Sequence, residues 1–225
     1  MFTVLSQGTF MLRGDMTHII WDWNGTLFHD IDAVIGATNE LFQPYGLGPY
    51  DVDGFREVYT RPIWVAYERM LGRSLREGEW EVLDRGFHEH YHRLMEACQL
   101  AEGAVSSLRA WEESGRSQSL LSMWGHDRLV GKVGDFGISG HFLRVDGLRS
   151  ASGGTKAEHM VAHLRALDLD PAKVVVIGDS VDDADAARHV GARAILYAGG
   201  MTRRSDLDLV GVPVVDSLAA ALDLV

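Results

Sequence analysis

Cysteine is almost missing from this 225-residue chain: Cys98 is the single example. No internal disulfide can form, which fits a reducing compartment and leads to the expectation of a cytoplasmic protein. In Arg-Leu-Met-Glu-Ala-Cys-Gln-Leu this thiol falls on a helical pattern and reads as a core residue rather than a reactive one. Positive charge is also in deficit. The chain has 21 Lys and Arg against 32 Asp and Glu, a net charge of -11. That balance argues against nucleic acid or an anionic membrane as partner, because both select clustered cations. No apolar run reaches the ~20 residues of a membrane span. No block of like charge, internal repeat or low-complexity tract is present. Met1 to Asp15 lacks the basic start and long apolar stretch of a signal peptide, and it lacks periodicity. Residues 1–16 are expected to form a poorly ordered extension, and Met16 is a candidate start that the N-terminal mass of natively expressed protein would check.

What the chain does have is enough apolar character, 46% of residues, to bury a sizeable core, in one large domain or a core with a smaller insert. Ile19 to Trp21 reads as a buried strand. From His29 to Leu100 the pattern is helical, with segments at Asp32–Gln43, Val52–Tyr59, Pro62–Leu71 and Glu79–Ala97. Trp80, Leu83, Phe87, Tyr91 and Leu94 recur at three- and four-residue steps, the stripe of an amphipathic helix. Beyond residue 100, strands and helices alternate. Strands are expected at Ser119–Met123, Phe142–Val145, Lys173–Ile177, Ala192–Tyr197 and Val212–Val215. Helices are expected at Ala104–Glu113, His126–Phe136, Thr155–Leu167, Asp182–His189 and Leu218–Leu224. Thr155 and Glu158 have capping-box spacing. This alternation predicts an α/β fold, a doubly wound, Rossmann-like parallel sheet. Its core is expected over 17–28 and 101–225, with an all-helical insert over 29–100.

Chemistry gathers where strands end, because ligands of doubly wound sheets bind at the carboxyl ends of the strands. The first strand ends in Asp22-Trp23-Asn24-Gly25-Thr26-Leu27, an aspartate followed by a tight turn. A carboxylate so placed can act as a covalent nucleophile, or simply cap the turn. The next strand is expected to end at Ser122. Lys156 opens a helix, and Val174 to Ile177 leads into Gly178-Asp179-Ser180-Val181-Asp182-Asp183. For a phosphate monoester each has a task. Mg²⁺ bridges carboxylate and phosphate, taking oxygen ligands from Asp22, Asp179 and the backbone carbonyl of Asn24. Ser122, with backbone N–H groups of the turn after Asp22, donates to phosphoryl oxygens, and Lys156 offsets their charge.

These residues resemble, in order and spacing, the four motifs of the haloacid dehalogenase-like hydrolases: Asp22-x-Asn24-Gly25-Thr26, Ser122, Lys156, and Gly178-Asp179-Ser180-x-x-Asp183. The continuation Ala184-Asp185-Ala186-Ala187-Arg188-His189-Val190-Gly191 is similar to phosphoglycolate-phosphatase-like members. The resemblance implies a Mg²⁺-dependent phosphohydrolase working through an aspartyl-phosphate on Asp22, with Asp179 and Asp183 as metal residues. It makes the insert a cap over the site. Substrate contacts are expected from Gly25, Thr26, Met123 and, in the cap, Arg61, with Arg69 and Arg73 weaker candidates. A small phosphorylated metabolite is the expected partner, and the protein a monomer or homodimer.

One letter departs. Asn24 stands where most phosphatases of that superfamily carry the aspartate that protonates the leaving group, a contribution of about 10²–10⁴-fold. Esters with good leaving groups, such as acyl or aryl phosphates, would suffer least, and a histidine among His88, His90 and His92 is a candidate substitute. His126, four residues after Ser122, either touches substrate or only starts the following helix. Two alternatives remain. One is a weakly active or inactive protein that binds a phosphorylated ligand. The other is a phosphonate- or halide-cleaving hydrolase, disfavoured by the acidic metal loop and by the absence of a lysine from His29 to Leu100.

Overall fold

A computed structural model of the protein describes residues 17–149 and 154–225. The expectations for the N-terminal extension and Met16 lie outside the described residues, as do positions 150–153. The chain order is β1 (His18–Trp21), β2 (Phe28–His29), α1 (Ile31–Phe42), α2 (Val52–Val58), α3 (Ile63–Leu71), α4 (Glu79–Leu94) and β3 (Gln99–Leu100). It continues with α5 (Ala104–Glu113), β4 (Gln118–Gly125), α6 (His126–Asp135), β5 (Val145–Leu148), α7 (Lys156–Leu167) and β6 (Val174–Gly178). The remainder is α8 (Val181–Val190), β7 (Arg193–Tyr197), α9 (Arg204–Asp208), β8 (Val214–Val215) and α10 (Leu218–Leu222). Among the described residues no helix is long and apolar enough to cross a membrane.

Six parallel strands form a sheet in the order β5-β4-β1-β6-β7-β8. Setting aside the separate β2/β3 ribbon, this is the doubly wound order 3-2-1-4-5-6, whose direction reverses beside the first strand. The central strands are apolar throughout because helices cover both faces. Side chains alternate along each strand. Ile19, Trp21, Val175, Ile177 and Ile195 pack on one face with Leu108 of α5, Leu129 of α6 and Leu218 of α10. Ile20, Val174, Val176, Ala194 and Leu196 pack on the other with Met160 of α7, Ala184 of α8 and Leu207 of α9. The predicted doubly wound sheet is the observed one.

Local differences have local causes. Strand β5 begins where the expected strand ended, because Phe142 packs on the core and pairing starts at Val145. Helix α9 was not expected from the sequence. The two-residue strands β2 and β3 pair antiparallel at the two ends of the helical insert, again too briefly to leave a pattern. The capping box at the start of α7 forms as expected: Glu158 N–H donates to Thr155 Oγ1 at 3.2 Å, and Thr155 N–H donates to Glu158 Oε2 at 2.7 Å.

A buried polar chain crosses three strands and α7. His18 Nδ1 lies 2.8 Å from Ser117 Oγ, and its Nε2 2.8 Å from Ser119 Oγ. The same Ser119 oxygen lies 2.8 Å from His163 Nε2, and His163 Nδ1 lies 2.8 Å from Asp146 Oδ2, which also pairs with Arg144. The serine–histidine–aspartate order resembles a hydrolytic triad, but Ser119 is fully buried, so the chain organises packing. Burial, with His163 adding to it, lowers His18 from 6.5 to about 4. The folded state therefore resists protonation that the unfolded chain accepts. Stability is complete above pH 6.5 and is lost as pH falls towards 4, by up to about 3 kcal/mol from this group. Urea unfolding at pH 7.5 and 4.5 should show that loss in the wild type and a smaller one in His18→Gln. An equal loss in both would remove His18 as its source.

Candidate active site

Strands β1 and β6 are neighbours in register, with Trp21 beside Ile177. The residues that follow them, Asp22 and Asp179, therefore emerge together at the point where the strand order reverses. Asp22 N–H donates to Ile177 O at 2.8 Å, which ties the start of the first loop to the end of β6. The N-terminus of α8 contributes Asp183. One oxygen from each of Asp22, Asp179 and Asp183 lies within 4.8 Å of the others, and all three residues are buried. Lys156, the first residue of α7, places Nζ 2.6 Å from Asp22 Oδ1 and also pairs with Asp183 Oδ1.

Electrostatics follow from this crowding. Burial is the largest influence on Asp22 and raises its carboxyl to about 6, with Asp183 adding to the rise and Lys156 opposing it. Burial, then Asp22 and Asp183, raises Asp179 to about 8. Burial works against the Lys156 ammonium, yet Asp183 and Asp22 together hold its affinity for the proton above the ordinary lysine value. Three acids and one lysine leave excess negative charge in a low-dielectric pocket.

Glycine is required where the acids pack. A Cβ on Gly25 (φ 74°) would sit 2.4 Å from Asp179 Oδ2, and one on Gly200 would sit 2.0 Å from the same oxygen. A Cβ on Gly178 would sit 2.1 Å from Asp183 Cγ. The two motif-four aspartates are held differently. Asp179 Oδ2 accepts from Met201 N–H at 3.0 Å. Asp183 Oδ2 accepts from the backbone N–H and the hydroxyl of Ser180, at 3.0 and 2.6 Å, and its Oδ1 meets Lys156.

Ser122 does not end its strand as expected. Strand β4 continues to Gly125, with its pairing to β5 shifted between Leu121 and Gly125. Such irregularities at a sheet rim re-aim side chains. Ser122 Oγ accepts from Trp124 N–H at 3.0 Å and lines the same cavity as Asp22, Lys156 and Met123. Gly25 and Thr26 do not line it. Gly25 N–H donates to Asp30 Oδ1 at 2.9 Å, Thr26 N–H to Trp23 O at 3.2 Å, and the Thr26 side chain is fully buried. Their backbone N–H groups are used inside the turn, while the buried Thr26 Oγ1 has no hydrogen-bond partner among the described residues.

Two residues beside Asn24 were not singled out by sequence. Asn24 Nδ2 donates to Asp30 Oδ2 at 2.8 Å and to the Tyr91 hydroxyl at 2.9 Å, while that hydroxyl donates to the same Asp30 oxygen at 2.6 Å. Asp30 is 1% exposed, and burial raises its carboxyl although Tyr91, Asn24 and Gly25 oppose the rise. Tyr91 counted in the sequence as part of the apolar stripe of α4. The second acid-bearing turn, His29-Asp30, was the available signal.

The insert lies against the core at several points. Arg56 Nε of α2 donates to Gly200 O at 3.1 Å, and Arg61 Nε lies 3.4 Å from Asp182 Oδ2. Arg61 lines the cavity with half its side chain exposed; Arg69 does not line it, and Arg73 pairs with Glu79 at 2.7 Å. His88 lines the cavity with its Nδ1 2.8 Å from Asp84 O, whereas His90 pairs with Glu40 at 2.7 Å. His126 starts α6 and accepts from Gly147 N–H at 3.2 Å. Cys98 is half-buried against the core.

Three comparisons bear on this geometry. A family model described as haloacid dehalogenase-like hydrolase matches residues 19–197. The chain is 22% identical over 193 residues to a phosphoglycolate phosphatase of Rhodobacter capsulatus, covering 84% of this chain and 87% of that protein. It is 25% identical over 189 residues to a phosphoglycolate phosphatase of Caulobacter vibrioides, covering 82% and 80%. A solved haloacid dehalogenase-like hydrolase from Streptococcus pneumoniae superposes with a TM-score of 0.80 at 18% identity, over 93% of this chain and 98% of that one.

Proposed function

Since the chain belongs to the haloacid dehalogenase-like hydrolase family, we propose that it is a cytoplasmic phosphohydrolase that uses Mg²⁺ and acts on a small phosphorylated metabolite through Asp22. The observation that carries this reading is the ion pair of Lys156 with Asp22 inside the three-carboxylate cluster at the sheet's reversal point. The phosphoglycolate phosphatases similar to this chain support the phosphate-ester class.

The donor set fits Mg²⁺. Its carboxylate oxygens are hard ligands, and their crowding raises the protonation tendency of Asp22 and Asp179, which a cation would reverse. Asp22, Asp179 and the Asn24 carbonyl are the proposed ligands. Asp183 belongs to the cluster; its Oδ2 accepts from Ser180 and its Oδ1 lies against the Lys156 ammonium, and its proposed part is to hold or orient the metal beside them. Bound there, Mg²⁺ would offset negative charge between carboxylate and phosphate.

An Asp22 oxygen attacks phosphorus in line, the phosphorus–leaving-group bond breaks, and the leaving oxygen departs with the electron pair. Lys156 and Ser122 hold the phosphoryl oxygens through the change in charge. Water then attacks the phosphorus of the aspartyl-phosphate, frees inorganic phosphate and restores the Asp22 carboxylate. The helical insert, as a cap, limits access of bulk water.

Phosphate release from p-nitrophenyl phosphate should depend on Mg²⁺, falling about 10²-fold or more in EDTA and returning when Mg²⁺ is restored. A second reading, a protein that binds phosphorylated ligands without turnover, is favoured by Asn24 alone. Folded protein that stays silent with Mg²⁺ while binding inorganic phosphate would decide for it.

A further inference from the structure

The cavity above Asp22 is larger and more apolar than a two-carbon substrate requires. It has a volume of about 430 Å³ and runs from Asp22, Lys156 and Ser122 up into the helical insert. That size is ordinary for a ligand with a ring system. Its outer wall includes Phe55, Tyr59, Trp64, Tyr67, Trp80 and Phe87. These side chains come from α2, α3, α4 and the segment between α2 and α3, so the aromatic wall belongs to the insert and not to the catalytic loops. Trp64 is 44% exposed, so its ring is accessible from the cavity it lines.

Charge on that wall disfavours a second anion. Beyond Lys156, Arg61 is the permanently cationic side chain lining the cavity among the described residues, and it already faces Asp182 at 3.4 Å. Asp84 and Asp182 line the same walls. A substrate carboxylate at Arg61 would share that guanidinium with Asp182, in a cavity that Asp84 also lines.

The leaving-group side gives an independent indication. Both N–H bonds of the Asn24 amide are directed to Asp30 and Tyr91. Position 24 thus has no proton to give the departing oxygen, which must leave as an anion. A phenoxide tolerates that charge far better than an alkoxide.

We propose that this site hydrolyses aryl phosphates, monoesters of a phenolic hydroxyl carried on a flat aromatic body, in preference to small alkyl or carboxylate-bearing phosphates. The inference rests on the phosphohydrolase reading and names its substrate class. The ring stacks among the insert's aromatic side chains, where such contacts add to simple burial. The phosphate reaches Asp22, and the P–O bond breaks with the electron pair passing to the phenolic oxygen, which takes a proton from solvent after departure.

The test is a comparison of kcat/KM with Mg²⁺ for phenyl, 2-naphthyl and benzyl phosphate and for 2-phosphoglycolate, on wild type and Trp64→Ala. Benzyl phosphate keeps the ring but leaves as an alcohol. Phenyl phosphate should exceed it by about 10²-fold or more, and 2-naphthyl phosphate should exceed 2-phosphoglycolate by a similar factor. Trp64→Ala should raise KM for 2-naphthyl phosphate about 3- to 10-fold. Benzyl phosphate equal to phenyl phosphate, 2-phosphoglycolate equal to or better than 2-naphthyl phosphate, or an unmoved KM in Trp64→Ala would each overturn the inference and leave the phosphohydrolase reading standing. Silence on all four esters would overturn that reading itself.

Discussion

Asp22→Asn is expected to lower phosphate release by about 10⁴-fold or more, because the amide oxygen is a poor nucleophile and removing the attacking group typically has effects of this size or larger. The folded protein should not suffer. Asp22 is buried, and burial works against its charge; its loss also removes one of the negative neighbours that raise Asp179. Lys156 keeps Asp183 as a partner. The thermal midpoint in EDTA should therefore match or exceed that of the wild type, while Mg²⁺ stabilises the variant less. This pairing of lost turnover with retained stability separates a chemical role from a structural one. Activity within tenfold of wild type in a folded variant would remove Asp22 from the proposed mechanism.

Asn24→Asp is the second large effect, and in the opposite direction. The new carboxyl would take the place of an amide nitrogen that now lies 2.8 Å from Asp30 Oδ2. Two carboxyl groups so close cannot both ionise readily, so the pair shares a proton. Tyr91, whose hydroxyl contacts both positions, remains to hold that arrangement. The variant thus places a protonated acid on the leaving-group side, where the wild type has an amide with both hydrogens engaged. Turnover of benzyl phosphate should rise about 10²-fold, with a smaller gain for phenyl phosphate, whose leaving group needs less help. Steady-state kcat on the two esters measures the ratio. If the two esters gain equally, the missing acid is not what limits the wild type.

Asp30 also shows how the insert and the core are joined at the site. Its oxygens are shared among Gly25 of the turn after β1, Asn24, and Tyr91 of α4. Helix α4 packs on α1, and its aromatic residue thereby reaches the loop that follows β1. Arg56 makes the corresponding link on the other side, to the carbonyl of Gly200 beside the loop that holds Asp179. Hydrogen bonds thus join the insert to the loops on both sides of the acids.

The sequence by itself determined the elements whose cause is local. Apolar runs such as Val174 to Ile177 became central strands, the stripe on Glu79 to Leu94 became a helix, and Thr155 with Glu158 capped the helix that starts at Lys156. Strand ends followed by Asp22 and by Gly178-Asp179 were enough to locate the crevice, because parallel strands in register carry their ends to one edge. Tertiary structure alone decided which side chains meet there. Lys156 lies 134 positions from Asp22, Tyr91 lies 61 from Asp30, and Met201 lies 22 from Asp179. No period or cap within a few residues encodes such pairs. The same is true of the Gly25 and Thr26 backbone N–H groups, which the turn uses, and of the aromatic wall, of which the sequence marked only Trp80 and Phe87, as part of the α4 stripe. Local pattern records which face of an element is apolar; what that face meets depends on how distant elements pack against one another.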